Sequence, residues 1–418
     1  MLRVDRWVGA PLCFVATGLR ALLTRRPEPD TPVRRILFVK LAEQGSTVLA
    51  CQALHDAVAR VGRENVYMLV FEENRFILDL LHVIPPENVV PIRQDSFGTL
   101  LRTALAAVFR LRRLQIDAAV DLEFFARATA LLAVASGAPV RVGLHAYFGE
   151  GPYRGDLMTH RVRYNPHLHT AHLFAALVAA LDLPADRLPQ FDLVPDLATR
   201  QPAPFAPAAR EVDEVRALVG RHGGPAVAGA PLILLNANAS DMLPLRRWES
   251  ARYVELARRL LAAFPEAAVS FTGAPDEAEK SRALARQVGS PRCFSLAGET
   301  TLRQLLVLYG LADVLVTNDS GPAHFAALTP IHTVTLFGPE TPLLFSSLNP
   351  RNTALWSGLA CSPCVSALNH RQSACRDNVC MGRLSVEQVY AAVSASYQEH
   401  RRERAQATRH RPGREVAA

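Results

Sequence analysis

The chain has 418 residues, of which 49% are hydrophobic and 20% charged, with a formal net charge of +7. That length and apolar content exclude a disordered polypeptide and suffice for two or three packed cores. The positive excess sits at the ends. Residues 1–35 hold seven Arg against three acids and residues 400–418 six against two, so residues 36–399 carry 33 basic and 34 acidic side chains. That near-balance implies no basic nucleic-acid face on the folded body.

An uncharged apolar run of 13 residues, 7–19, lies between Arg6 and Arg20. A spanning helix needs about 20, so the run is too short to cross a bilayer. An interfacial helix, a signal peptide and a helix packed on the protein's own surface are the open readings. Arg20, Arg25 and Arg26 follow the run and no clear small-residue cleavage site appears, which favours the first. Residues 1–32 are therefore expected to associate with a membrane without spanning it, Trp7 and Phe14 entering the lipid boundary and the arginines meeting anionic headgroups.

From residue 33 the pattern alternates. Short β-type runs at 36–39, 66–71, 89–92, 118–122 and 141–144 are interleaved with helical stretches such as 46–61 and 100–114. This βαβ rhythm predicts a parallel sheet covered by helices, a Rossmann-like domain over 33–183. Residues 183–231 then hold eight prolines, which predicts a linker over 184–230 with one helix at 208–221. A second alternation places strands at 232–235, 268–272, 314–317 and 333–337 and helices at 249–264, 277–288 and 302–311, a second Rossmann-like domain over 231–400. The fold class expected is α/β, two such domains with parallel sheets facing an interdomain cleft, where ligands tend to bind. The basic tail, 401–418, is expected to be disordered.

The most informative corner is Asn318-Asp319-Ser320-Gly321, where the strand at 314–317 passes into a small-residue helical pattern. Asp319 there is placed to hold hydroxyls, and the helix start to receive a phosphate. An ordinary capped turn is the plainer alternative.

Six segments in order, Leu234-Leu-Asn-Ala-Asn-Ala-Ser240, Arg246-Arg-Trp248, Thr272-Gly-Ala-Pro-Asp-Glu277, Leu296-Ala-Gly-Glu-Thr-Thr301, Asn318-Asp-Ser-Gly-Pro-Ala-His324 and Leu336-Phe-Gly-Pro339, resemble the carboxyl-terminal domain of glycosyltransferase family 9, the heptosyltransferases of lipopolysaccharide assembly. The resemblance extends over about residues 33–395. It implies a GT-B architecture, an acceptor domain followed by a nucleotide-sugar donor domain, and transfer with inversion that requires no metal or other cofactor. In its terms Arg246 grips the diphosphate, Ser240 adds a hydroxyl, Glu277 meets the ribose, and Asp319, Ser320, Gly321 and His324 line the sugar-phosphate corner. Plain readings stand beside these: Arg246 as a solvated helix-start cation, Glu277 as a first-turn carboxylate, His324 as a buried core histidine. The chemistry agrees, because a departing nucleoside diphosphate needs a fixed cation where no carboxylate cluster holds Mg²⁺. The expected partners are a nucleotide-sugar, a lipopolysaccharide or other lipid-linked acceptor, and the cytoplasmic face of the bacterial inner membrane. A GT-B sugar-nucleotide epimerase and a non-catalytic sugar-nucleotide-binding protein are the alternatives.

The first loop departs from the family. Members commonly place Gly-Asp after the first strand, with the aspartate as the base, whereas this chain reads Glu43-Gln44-Gly45-Ser46. Serine is no base unaided, so Glu43, three residues upstream, is the expected substitute, with an ordinary surface glutamate as its plain reading, and Glu43, Ser46 and Asp319 form the catalytic set. Asp121 and Glu123 come next as candidate bases. Cys361, Cys364, Cys375 and Cys380 in the loop 361–380 are spaced as a structural zinc site would be, with reduced thiols in a packed loop as the preferred reading. Asn165-Pro-His167-Leu-His169-Thr-Ala-His172 is read as a polar loop entering a helix near the acceptor cleft, with a metal site as the alternative.

Overall fold

The computed structural model describes residues 5–23, 32–189, 201–227, 229–239 and 243–409. By packing they divide into two units, residues 1–202 with 365–373, and 203–364 with 374–418. The short segment 365–373 thus belongs with the first unit although the chain on either side of it belongs with the second.

The first unit is built on six parallel strands, β1 (Ile36–Val39), β2 (Val66–Phe71), β3 (Val89–Ile92), β4 (Ala118–Asp121), β5 (Val140–His145) and β6 (His160–Arg163), in the order β3-β2-β1-β4-β5-β6. β1 is central, with Ile36 opposite Val66 on one side and Ala118 on the other, and all four of its residues are buried. Both faces of such a strand are covered, which is why it reads as an unbroken apolar run. The helices in chain order are α1 (Ala10–Leu23), α2 (Gln44–Leu49), α3 (Cys51–Val61), α4 (Arg75–Leu81), α5 (Phe97–Arg113), α6 (Arg127–Ala135) and α7 (Thr170–Ala179). The single helix expected over 46–61 is two, broken at Ala50, and it begins at residue 44 because Glu43 turns the chain in a left-handed conformation.

The second unit repeats the plan with β7 (Leu232–Asn236), β8 (Ala268–Phe271), β9 (Cys293–Ser295), β10 (Val314–Asn318), β11 (His332–Phe337) and β12 (Asn352–Trp356), ordered β12-β11-β10-β7-β8-β9, all parallel. Its helices are α8 (Ala209–Gly223), α9 (Ser250–Ala263), α10 (Ala278–Val288), α11 (Leu302–Leu311), α12 (Gly321–Phe325), α13 (Pro342–Phe345), α14 (Val379–Gly382) and α15 (Val386–Arg409). Trp248 and Tyr253 are buried in its core, ring to ring at 5.0 Å. The linker helix expected at 208–221 is α8, and the extended residues before it are tied down by Phe205 N–H donating to the Leu328 carbonyl at 2.7 Å.

α15 runs on to Arg409, into the segment expected to be a disordered tail, while 410–418 lie outside the described residues. Side chains hold it there. Buried Asp313, which accepts from Leu232 N–H at 2.8 Å, faces His400, Arg401 and Arg404 at 3.8, 3.7 and 3.5 Å, and Glu403 pairs with Arg351 and His332. Burial pushes the His400 imidazole below its ordinary value of 6.5, with Asp313 and Glu403 opposing and Arg404 and His332 adding. The folded state therefore keeps His400 neutral where the unfolded chain takes a proton, and stability falls as pH drops below 6.5. His400→Gln is expected to make the unfolding temperature less steeply dependent on pH between roughly 4.5 and 6.5. An unchanged acid slope in the variant would show that other groups set it.

Candidate active site

Ligands of open parallel sheets bind beyond the carboxyl ends of the strands, where the strand order reverses. That point lies between β1 and β4 in the first unit and between β7 and β10 in the second. Both places gather charged side chains.

In the first unit β1 runs directly into Lys40, which is fully buried and donates from Nζ to the Ala42 carbonyl at 2.6 Å and to Glu123 Oε1 at 3.0 Å. Glu123 Oε1 also accepts from Ala42 N–H at 2.9 Å, so this carboxylate is committed to shaping the loop. Burial lowers the Lys40 pKa and Glu123 opposes it. Asp121, at the end of β4, is fully buried, paired with Arg154 and bonded by Thr129 Oγ1 at 2.9 Å. Its pKa is raised by burial against the pull of Arg154. Asp121 is thus held out of solvent, and Glu123 is only 13% exposed.

Glu43 differs from both. It sits before α2 with φ 67, a conformation costing a non-glycine residue roughly 1 kcal/mol, and such strain gathers at functional loops. Its side chain remains 27% exposed, against 13% for Glu123 and none for Asp121. Ser46, mostly buried, donates from Oγ to the Glu43 carbonyl at 2.9 Å and to its Oε2 at 3.3 Å. The two residues singled out by sequence are thus brought together, the serine hydroxyl bonded to the glutamate side chain. A third member was not foreseen: Arg371 pairs with Glu43 Oε1 and lies over the Phe124 ring at 5.6 Å. Burial lowers its pKa to about 10, so it is still cationic at neutral pH.

In the second unit Arg246 follows the buried Leu243 in a short turn, its guanidinium paired with Glu340 and 3.5 Å from Asp319 Oδ2. Glu340 is almost wholly buried. Its pKa is raised, by burial first and then by the negative charge of Asp319, while Arg246 pulls the other way. Sequence reasoning missed Glu340 although it directly follows the Leu336–Pro339 segment, because an acid after Gly-Pro reads as an ordinary turn residue. Asn318 knots the strand ends together: its Oδ1 accepts from Trp248 N–H at 3.0 Å and Tyr253 OH at 3.2 Å, and its Nδ2 donates to the Asn238 carbonyl at 2.9 Å. This knot is what carries Arg246 to Asp319.

Ser320 immediately precedes α12 but turns its Oγ back to the Asn318 carbonyl at 3.1 Å, and Gly321 and the buried His324 follow in the short helix. Glu277 accepts from Ala274 N–H at 2.8 Å, so its helix-start reading holds, and burial raises its pKa. Beside it Asn238 leaves a buried Nδ2 without a partner, a donor that would cost about 1–3 kcal/mol unless a ligand accepts from it. A Cβ at Gly273 would lie 2.7 Å from that Nδ2 and 2.8 Å from Glu277 Oε2, so any larger residue there would push these two side-chain ends aside. Ser240 lies outside the described residues.

The four loop cysteines are free thiols, Cys361 and Cys375 exposed, Cys364 half-buried and Cys380 buried. Burial raises the Cys380 pKa, and the nearby Cys364 and Cys375 add to this. Among the described residues the metal-capable group whose ligand atoms converge within 4.8 Å is instead His332, His400 and Glu403, at the opposite end of the second sheet and crowded by the arginines that hold α15. In the 165–172 segment His167 N–H bonds Asn165 Oδ1 at 2.9 Å and His169 Nδ1 accepts from Ala171 N–H at 3.2 Å, which is turn and helix-start chemistry.

The family model of glycosyltransferase family 9 (heptosyltransferase) matches residues 105–374. Lipooligosaccharide heptosyltransferase 2 of Haemophilus influenzae is 29% identical over 181 residues, 42% of this chain and 49% of that enzyme, so the match spans about half the length of this curated relative. Among solved structures, ADP-heptose lps heptosyltransferase II of E. coli superposes with a TM-score of 0.63 at 19% identity, covering 88% of this chain and 99% of that one. A family 9 glycosyl transferase from Veillonella parvula gives 0.67 at 17% identity over 89% and 100%. These likenesses establish the two-domain GT-B fold.

Proposed function

The chain belongs to glycosyltransferase family 9, and we propose on that premise that it transfers a heptose or related sugar, with inversion and without a required metal, from a nucleotide-sugar to a lipopolysaccharide or other lipid-linked acceptor at the inner face of the inner membrane. The observation that carries the reading is the Arg246–Asp319–Glu340 group at the reversal point of the second sheet. A guanidinium between two carboxylates offers one end to a diphosphate and leaves Asp319 to hold the sugar. Asn238, with its unpartnered buried Nδ2, and Glu277 beside it would take the nucleoside. The relative from Haemophilus influenzae and the E. coli structure are named for heptose transfer, which makes ADP-heptose the first donor to try. On the acceptor side Glu43 is the proton acceptor and Ser46 orients it.

The test is incubation of the purified protein with ADP-heptose and a heptose-deficient lipopolysaccharide, read by mass spectrometry of the glycolipid. A gain of one heptose is the expected result. Donor binding with no transfer to any acceptor would mark a non-catalytic binding protein, and conversion of the sugar-nucleotide without acceptor would mark an epimerase.

A further inference from the structure

The first unit carries an apolar surface that its own core does not use. Ten of the fourteen large apolar side chains left exposed among the described residues fall on α1 with the turn leading into it, and on α5. α1 and the turn before it are inside out for a surface helix: Gly9, Cys13, Ala16 and Thr17 face the protein, while Trp7, Leu12, Phe14, Val15 and Leu19 face away, Trp7 at 75% and Phe14 at 70% exposure. On α5 the residues Phe97, Leu101, Leu105 and Phe109 recur every fourth position and are all at least half exposed. Leu100, Ala104, Ala107 and Leu111 of the same helix pack inward, in the same core layer as Cys13 and Ala16 of α1. The two outward stripes therefore rise from one side of one sheet.

Monomeric proteins rarely expose contiguous apolar surface beyond a few hundred Å² without a use for it. Charge identifies the occupant. α5 holds four arginines, Arg102, Arg110, Arg112 and Arg113, all exposed, and no acid, and α1 has no acid either. A second copy of this surface would bring like charges together, whereas an anionic bilayer satisfies stripe and arginines at once. No helix of the described residues is long and apolar enough to cross a membrane.

We propose that α5 is a second membrane-docking element, which lies with α1 in the headgroup region of an anionic phospholipid leaflet and holds the first unit flat on it. The inference rests on the reading that the acceptor is lipid-linked, and it names the surface from which that acceptor is taken. α1 alone is one apolar segment, and stable interfacial binding ordinarily takes two signals. α5 supplies the second, together with four exposed arginines.

The test uses the full chain and flotation with vesicles of phosphatidylglycerol and phosphatidylethanolamine, with phosphatidylcholine vesicles as the neutral arm. Substituting Gln for Phe97, Leu101, Leu105 and Phe109 together, with α1 intact, is expected to lower partition into the anionic vesicles by at least about tenfold, because four bulky groups leave the interface. All four are exposed, so the fold should stand, and an unchanged unfolding temperature checks this. A separate variant, Arg102→Gln with Arg113→Gln, should lose about fivefold per arginine on anionic vesicles and little on neutral ones. Wild-type partition by the stripe variant, or equal wild-type binding to both vesicle types, overturns the proposal. So does a wild-type dimer in sedimentation that the stripe variant makes monomeric with vesicle binding unchanged, which would make the face a self-association surface. Transfer to a delipidated, soluble acceptor separates the two readings: its absence in the wild type counts against the glycosyltransferase reading and leaves the vesicle result standing.

Discussion

Glu43→Gln is expected to cut turnover by about 10² to 10⁴, the range for loss of a general base, with donor affinity nearly unchanged. The structure narrows the choice of base by commitment. Asp121 is locked by Arg154 and Thr129, and Glu123 by buried Lys40 and the Ala42 amide. Glu43 is the most open of the three, although paired with Arg371, and its turn holds it beyond the end of β1. An acceptor hydroxyl attacking an oxocarbenium-like centre loses its proton late, so a carboxylate within hydrogen-bond reach suffices. The pair with Arg371 means that acceptor binding must draw the guanidinium aside or share the carboxylate with it. Ser46→Ala, which removes a 3.3 Å hydrogen bond to the same carboxylate, should cost far less. The measurement is the initial rate at saturating donor with an acceptor on which the wild type turns over. Near wild-type turnover in Glu43→Gln would mean that the proton goes to a group other than Glu43.

The second large effect concerns the donor. Arg246→Ala should weaken a nucleoside diphosphate by about 1.5–3 kcal/mol and a free nucleoside much less. The same change leaves Asp319 and Glu340 facing each other in a buried site without their cation, so it should also lower stability by about 3–5 kcal/mol. Glu340→Gln separates the two roles. With both carboxylates ionised the group is net negative and repels a diphosphate. Because burial raises the Glu340 pKa, the proton that neutralises the group is held above the usual carboxylate range, and anion binding favours that protonated form. Diphosphate affinity is therefore expected to fall as pH rises across the wild-type transition, and to stay high in Glu340→Gln. Calorimetric titration over roughly pH 6 to 9 reads this directly. Identical pH profiles in the two proteins would remove Glu340 from the binding group.

Much of this was legible in the amino-acid sequence, for definite physical reasons. Strands covered on both faces are largely apolar, as Ile36–Val39 is throughout and Val314–Asn318 is over its first three residues, and they stand out as runs. The strands that escaped notice, His160–Arg163, Cys293–Ser295 and Asn352–Trp356, are all sheet edges, short or interrupted by polar residues, where one side needs no apolar cover. Arg246 and Asp319 were legible through their motifs, and the structure brings them within 3.5 Å. Glu340 and Arg371 were not. Each acts through a partner far away in sequence, 94 residues for Glu340 and 328 for Arg371, and no local periodicity encodes such a pairing.

The segment 365–373 has a consequence for how the molecule can be divided. Leu368 lies where any side chain at Gly151 would press, 3.2 Å from the position of its Cβ, and Arg371 holds Glu43. Cutting the chain at the proline-rich linker would therefore not release two self-sufficient halves. The amino-terminal piece would lose the wall behind Gly151 and the guanidinium on its candidate base, while the carboxyl-terminal piece would carry nine residues adapted to a partner it no longer had. The protein is two units in packing but a single heritable block, and recombination between relatives should preserve the first 200 residues and this loop as a matched set.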